Sequence, residues 1–323
     1  MEDALSAMLR DVRPQGALFD RTFVTPPWAV RFDDGAPLSL ITMLGGEAWL
    51  AAGSGLPLRV RPGDVALVRG PDPFQVGDDL GTPPDVVVAA GGRCTTPGGR
   101  PLGDRPGVCG GEPGGGASAL LTASYQAHGS VCARVLDGLP RAFVVAAGAA
   151  TEPVAALIDA ELARARLGQR AVLDRLLDLL LVSTLRDWLD RPESGAPAWY
   201  RALSDPVVGA ALRLIHDEPA RPWTVAALAR EVGASRAAFA RRFADLVGEP
   251  PMGYLTCWRM CVAADLLRQN DATVGAVARR VGYANAYALS VAFTRVHGVR
   301  PSRYRAGVRG FGAPPPASPA ATA

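Results

Sequence analysis

Residues 224–233, TVAALAREVG, and residues 273–282, TVGAVARRVG, are one ten-residue unit written twice, with seven identities at an offset of 49. Beyond the closing glycine the offset becomes 50, pairing Phe243 with Phe293, Gly248 with Gly298, Pro251 with Pro301 and Tyr254 with Tyr304. Self-similarity of this kind means one supersecondary unit used twice. In the first copy Val225, Leu228, Ala229 and Val232 follow the i, i+3, i+4, i+7 spacing of a helix with one buried face. Thr224 stands as its N-cap, and Gly233 supplies the positive φ that closes the helix and turns the chain. Ser235 then caps a second helix, with Phe239, Phe243 and Leu246 expected in the core and Arg236, Ala237, Ala240 and Arg241 on the opposite face. The second copy repeats the pattern with Val274, Val277, Ala278, Val281 and Gly282. Its second helix is expected to bury Leu289, Phe293 and Val296 and to expose Asn285, Ala286, Tyr287, Ser290 and Val291. A helix from Met252 to Gln269 is expected to join the two units rigidly.

A basic outer face of small residues is what the DNA major groove admits. The groove is ~12 Å wide and takes one helix, where arginine grips guanine O6 and N7 and alanine meets a thymine methyl. Two units on one scaffold are expected to lay their second helices in successive groove turns, ~34 Å apart. Charge agrees with a polyanionic partner. Residues 201–309 hold 16 arginines against 8 acidic residues, a balance of +8, whereas residues 1–200 hold 18 against 23, a balance of −5. The formal charge of +3 therefore conceals a basic C-terminal third. A plain helical domain with a solvated arginine face is the alternative; duplication together with local charge favours double-stranded DNA.

The segment from Ala211 to Arg305 resembles the DNA-binding domain of the AraC/XylS transcription regulators. The residues that carry the resemblance are Ala278-Arg279-Arg280-Val281-Gly282-Tyr283, Phe293-Thr294-Arg295, Gly298, Pro301 and Tyr304-Arg305, with Pro222-Trp223-Thr224 and Arg241-Arg242-Phe243 upstream. It implies base reading by Ala237, Ala240 and Arg241 in the first unit and by Ala286, Tyr287 and Val291 in the second. Thr224, Ser235, Arg236, Asn285 and Arg295 complete the expected DNA-binding set. Val291 departs from the basic residue common in the family, and Leu289 from phenylalanine. Those departures imply a second unit that reads few base edges and mostly grips the backbone, leaving specificity to Arg236 and Arg241. The resemblance further implies a homodimer that acts on RNA polymerase, with activation the commoner mode.

Upstream of the repeat the hydrophobic period changes. Between Pro153 and Asp190, Leu173, Leu176, Leu177, Leu180 and Leu181, continued by Leu185 and Trp188, make an apolar stripe broader than one contact face needs. Packing on the preceding domain and a dimer interface both account for it. Arg191–Pro197 reads as a linker. Residues 1–150 read as β-rich, with strand candidates at Ile41–Leu50, Val86–Ala90 and Ala142–Ala147 and a turn at Pro62-Gly63-Asp64 between two short strands. Gly91–Gly116 reads as a loop ordered only in part. This half resembles the cupin-like sensor domain of one branch of the same family, on Gly46-Glu47-Ala48-Trp49-Leu50, Pro62-Gly63-Asp64 and Leu136-Asp137-Gly138-Leu139-Pro140. The expected fold class is α+β. A cupin-like β-barrel (1–150) with a trailing helical dimerisation or packing segment and linker (151–197) precedes an all-α domain of two helix-turn-helix units joined by a long helix (198–309). A disordered tail (310–323) follows.

Metal-dependent cupins cluster histidine and carboxylate ligands, yet this chain has three histidines, His128, His216 and His297, two of them in the DNA-binding part. No phosphate loop, nucleophile elbow or other catalytic motif is present. The reading is thus a regulator without cofactor, rather than a cupin enzyme fused to a DNA-binding domain. Its N-terminal signal is then a small organic effector or a redox change. Trp28, Phe32, Trp49 and Phe74 are candidate pocket residues, although barrel packing explains them equally well. Cys94 and Cys109 bracket a loop carrying Arg100 and Arg105, beside Arg93; nearby arginine lowers a thiol pKa, so a reversible Cys94–Cys109 disulfide would make a thiol switch. Two unreactive loop cysteines, or zinc held by Cys94, Cys109, Cys132 and His128, are the alternatives. Cys257 and Cys261 read as small core residues. No stretch approaches the ~20 apolar residues of a membrane span. No apolar segment follows Met1-Glu2-Asp3, and five irregularly spaced cysteines fit a reducing compartment. The expected location is the cytoplasm, with no membrane partner.

Overall fold

The computed structural model describes residues 12–14, 18–102, 118–127, 136–164, 166–191, 196–269 and 272–310. Cys109, Cys132, His128 and the tail beyond residue 310 lie outside them, and so do the expectations placed there. The chain divides into two compact units, one from residues 12–127 with 136–196 and one from residue 197 onward.

Among the described residues the first unit carries two six-stranded sheets. One runs in the order β1 (Val12–Pro14), β11 (Ser118–Ala127), β4 (Leu38–Gly45), β7 (Val65–Arg69), β12 (Ala142–Val145), with β2 (Leu18–Val24) also paired to β11. The other runs β10 (Arg93–Thr95), β9 (Val86–Ala89), β3 (Ala29–Asp33), β8 (Phe74–Gly77), β5 (Ala48–Ala52), β6 (Leu58–Val60). Pairing is antiparallel except between β3 and β9. In β5 the period of two sends Ala48, Leu50 and Ala52 inward. They meet Val30, Phe32, Phe74 and Val76 of their own sheet and Ile41, Met43, Ala66, Val68 and Leu120 of the other in one core.

β4 does not alternate: Leu38 to Met43 are all buried. Both faces of its sheet are therefore covered. The far face is packed by α1 (Glu152–Leu162) and α2 (Gln169–Leu189). The hydroxyl of fully buried Tyr125 donates to the Leu177 carbonyl at 2.8 Å, and Phe143 stacks on Trp188 with ring centroids 4.5 Å apart. This packing covers the leucine stripe, with Leu176 half-buried, and leaves exposed only α2 residues outside it. Leu173, Leu177, Leu180, Leu181, Leu185 and Trp188 are buried within the chain, while Val172 and Leu179 remain 45% and 49% exposed.

Two short turns carry the chain from one sheet to the other. Residues 41–50 are not one strand but β4 and β5, parted at Gly46, whose φ is +73° and where a Cβ would lie 2.3 Å from Ser118 Oγ. Pro62-Gly63-Asp64 likewise separates strands of different sheets, so it forms a corner and not a hairpin. There Gly63 N–H donates to Met43 O, and the Asp64 carboxylate accepts the Arg61 and Ala147 N–H groups, each at 3.0 Å. Of the four candidate pocket aromatics, Trp28, Phe32 and Phe74 lie in the inter-sheet core, with Phe32 and Phe74 stacked at 4.7 Å. Trp49 is corrected: it sits at an outward position of β5, half-buried and outside that core.

The second unit is helical. It runs α3 (Ala198–Arg201), a 3-10 turn (Ala202–Ser204), α4 (Val208–Asp217), α5 (Val225–Glu231), α6 (Arg236–Val247), α7 (Pro251–Gln269), α8 (Val274–Arg280), α9 (Ala286–His297) and α10 (Pro301–Gly310). It holds two cores, and α7 supplies both. Tyr254, Leu255, Trp258 and Cys261 pack with Leu228, Phe239 and Phe243, whereas Met260, Ala263, Ala264 and Leu267 pack with Val277, Leu289 and Phe293. One core expectation fails. Leu246 is 38% exposed and Val247 is buried instead, because the buried row of α6 continues 239, 243, 247 at four-residue spacing.

Candidate nucleic-acid interface

Each copy of the repeat is closed by the same local chemistry. The side chains of Thr224 and Thr273 accept Ala227 and Ala276 N–H at 3.0 and 3.1 Å, capping α5 and α8. At the other end Ala234 N–H donates to Ala229 O and Gly233 N–H to Arg230 O. The second copy repeats both bonds, from Tyr283 to Ala278 and from Gly282 to Arg279. These are paired Schellman closures, and they need the left-handed φ of +68° at Gly233 and +79° at Gly282. The second helices start alike, with Ser235 accepting Ala238 N–H at 3.3 Å and Asn285 accepting Ala288 N–H at 2.9 Å. Thr224, Ser235 and Asn285 thus serve first as helix caps.

The buried rows set which side chains face out. With Phe239, Phe243 and Val247 inward, α6 exposes Arg236, Ala237 and Arg241 and leaves Ala240 half-buried. With Leu289, Ala292 and Phe293 inward, α9 exposes Tyr287, Val291 and Arg295 and leaves Ala286 half-buried. Each expected reader therefore lies on the outward side of its helix.

The arginines divide into two groups. Arg242 is held by Asp205, with Nε 3.0 and 3.1 Å from the two carboxylate oxygens. That guanidinium is the main cause lowering the Asp205 carboxyl to about 2. Arg221 pairs with Glu231 at 2.6 Å and lies over the Trp223 ring. Arg305 donates to the Ala272 carbonyl. By contrast Arg236, Arg241 and Arg295, and also Arg279, Arg280, Arg300 and Arg303, are exposed and form no ion pair among the described residues. The last four fall outside the expected DNA-binding set.

Sequence reasoning missed Arg259. From α7 it donates Nε to Pro219 O at 2.7 Å and a terminal nitrogen to Arg221 O at 2.8 Å, with its guanidinium 5.8 Å from the Tyr283 ring centroid. It thereby ties the loop before α5 to the turn after α8, fixing one unit against the other. Its only signal in the sequence is a charge placed between Trp258 and Met260, two core residues.

In the first unit, Cys94 is buried and disulfide-bonded, and its partner lies outside the described residues. No group of three or more His, Cys, Asp or Glu side chains suited to a metal occurs among the described residues. His216 and His297 sit on α4 and α9 of the helical unit, so the histidine-rich ligand set of a metal-dependent cupin does not fit the residues present. Among the described residues no helix is long and apolar enough to cross a membrane.

Residues 3–190 match the cupin family, and residues 228–307 match a helix-turn-helix domain family. The chain is 34% identical over 286 residues to a Streptomyces antibioticus protein described as an AraC-like transcription regulator, covering 86% of this chain and 90% of that one. It is 36% identical over 107 residues to the RCS-specific HTH-type transcriptional activator RclR of Escherichia coli, covering 33% of this chain and 38% of that protein. Among solved structures it is similar to the DNA-binding domain of AdpA, a global transcriptional factor, in complex with a target DNA. There the identity is 34%, the TM-score 0.31, and the cover 33% of this chain and 95% of that one.

Proposed function

On the premise that the chain belongs to the AraC family of DNA-binding transcription regulators, we propose that it recognises a specific operator under control of a signal received by its cupin unit. The observation that carries this reading is the pair of capped helices α6 and α9 on the shared scaffold of α7, with Arg236 and Arg241 exposed and unpaired among the described residues. A homodimer is part of the reading, with Val172 and Leu179, exposed on α2, as contacts for a second copy. Activation, through RNA polymerase at a promoter, is also part of the reading; the Escherichia coli relative RclR is a transcriptional activator. The test is selection of sheared genomic DNA by the purified full chain. Enrichment of a few promoters that share a motif is the expected result; recovery indistinguishable from background would overturn it.

A second reading concerns the nature of the signal, and the disulfide at Cys94 favours it. With Cys109 as the partner, reduction of that bond by a thiol reductant would change the shape of the barrel and so the regulator's output. Operator affinity is then expected to differ between reduced and oxidised protein, and Cys94→Ser to abolish that difference. Equal affinity in both redox states would leave a small organic effector as the signal.

A further inference from the structure

The outward side chains in the first two turns of the second reading helix, α9, are mostly apolar, with the Tyr287 hydroxyl as their hydrogen-bonding group. Asn285 uses its side-chain oxygen as the N-cap, and the Ser290 hydroxyl donates back to the Ala286 carbonyl at 2.7 Å. What projects is Tyr287, 79% exposed, and Val291, 55% exposed, one helical turn apart. Beyond the Tyr287 hydroxyl, outward polar side chains resume at Thr294 and Arg295, in the last turn. Elsewhere in this unit the only other large apolar side chain exposed among the described residues is Leu246, at 38%. The opposite face of α9 is fully packed by Leu289, Ala292 and Phe293, so folding does not require the outward pair to be apolar. The Tyr287 ring and the Val291 side chain, adjacent and left in water, offer apolar surface to a partner.

An apolar surface distinguishes bases in the major groove by one feature, the C5 methyl group of thymine. We propose that α9 selects thymine by burying its methyl group against Tyr287 and Val291, while α6 selects guanine through Arg236 and Arg241. The operator then has a guanine-read half and a thymine-read half in adjacent turns of the duplex. This rests on the DNA-recognition reading above. It differs from the expectation that the second unit reads few base edges and mostly grips the backbone.

The test uses the full chain and a duplex recovered from the genomic selection, with thymine replaced by uracil one groove turn at a time. Uracil pairs as thymine does and lacks only the methyl. Each contacted replacement is expected to weaken binding ~4-fold, the worth of one buried methyl group. The effect is confined to one half of the site. The double variant Tyr287→Ala, Val291→Ala is expected to bind the thymine and uracil duplexes equally. Tyr287→Phe keeps the ring and the discrimination. These positions are exposed, so unchanged thermal unfolding accompanies each variant. Equal binding of both duplexes by the wild-type chain, with two successive groove turns still footprinted, would overturn thymine reading and leave DNA recognition standing. A uracil effect that survives in the double variant would overturn it too, by placing the methyl contact elsewhere. No footprint on any duplex would remove both.

Discussion

Arg241→Ala lowers affinity for the selected operator roughly 5- to 150-fold, equivalent to ~1–3 kcal/mol, and flattens the preference at one guanine. The expectation follows from the rotation of α6 about its axis. Phe239 and Phe243 are fully buried, which leaves Arg241 on the outward side with no ion pair among the described residues. A guanidinium presented in this way reaches guanine O6 and N7 with two parallel hydrogen bonds, and alanine leaves both acceptors unmet. Its neighbour Arg242 has the same charge and a different task. Asp205 holds it, and because that carboxyl is lowered to about 2 the pair stays ionised at any pH used for binding. Competition binding across all single-base variants of the operator separates base reading from backbone contact. A phosphate-bound Arg241 would instead weaken every sequence alike and reduce the salt slope by about one. That outcome would mean α6 is rotated in the groove and that Arg236 is the reader.

Gly282→Ala is expected to destabilise the helical unit by ~2–5 kcal/mol, and Gly233→Ala by only ~1–2 kcal/mol. The two glycines occupy the same place in the repeat and have the same left-handed backbone, so the cost of forcing a Cβ into that conformation is common to both. Their surroundings are not the same. A Cβ at Gly233 meets nothing within 4 Å, while one at Gly282 would lie 2.6 Å from the Ala220 carbonyl oxygen and 2.8 Å from the Arg259 guanidinium. The first of those neighbours is backbone and yields only if the loop before α5 moves. Gly282→Ala is therefore expected to loosen the Arg259 tie and to lower operator affinity as well, whereas Gly233→Ala leaves affinity near wild type. Urea unfolding of the two variants, followed by the helical signal, checks the difference. Equal losses would show that the approach of Gly282 to Ala220 is not constrained.

The helical unit was legible in the chain because its information is local. Helix spacing, threonine, serine and asparagine caps and two glycines at positive φ all act within ten residues, and the repeat states them twice. The order of events around Gly233 and Gly282 needed no knowledge of distant contacts. The β unit was less legible for the opposite reason. Strands beside Gly46 and Gly63 are neighbours in sequence but belong to different sheets, and β3 pairs with β8 and β9, more than forty residues away. Nothing local separates a hairpin from a corner.

The sequence alone determined that two helix-turn-helix units exist, where they begin and close, and, Leu246 apart, which side chains stand on their outer faces. Helical periodicity settles those questions before any tertiary contact forms. The tertiary structure alone decided which arginines stay without an ion pair among the described residues and which serve the fold, since Arg241 and Arg242 are adjacent and equally charged until Asp205, 37 residues from Arg242, takes one of them. It likewise buried the leucine stripe of α2 within the chain and placed Arg259 between the two helix-turn-helix units. Each of these rests on charges and surfaces meeting across long stretches of chain, and residue spacing carries no record of such meetings.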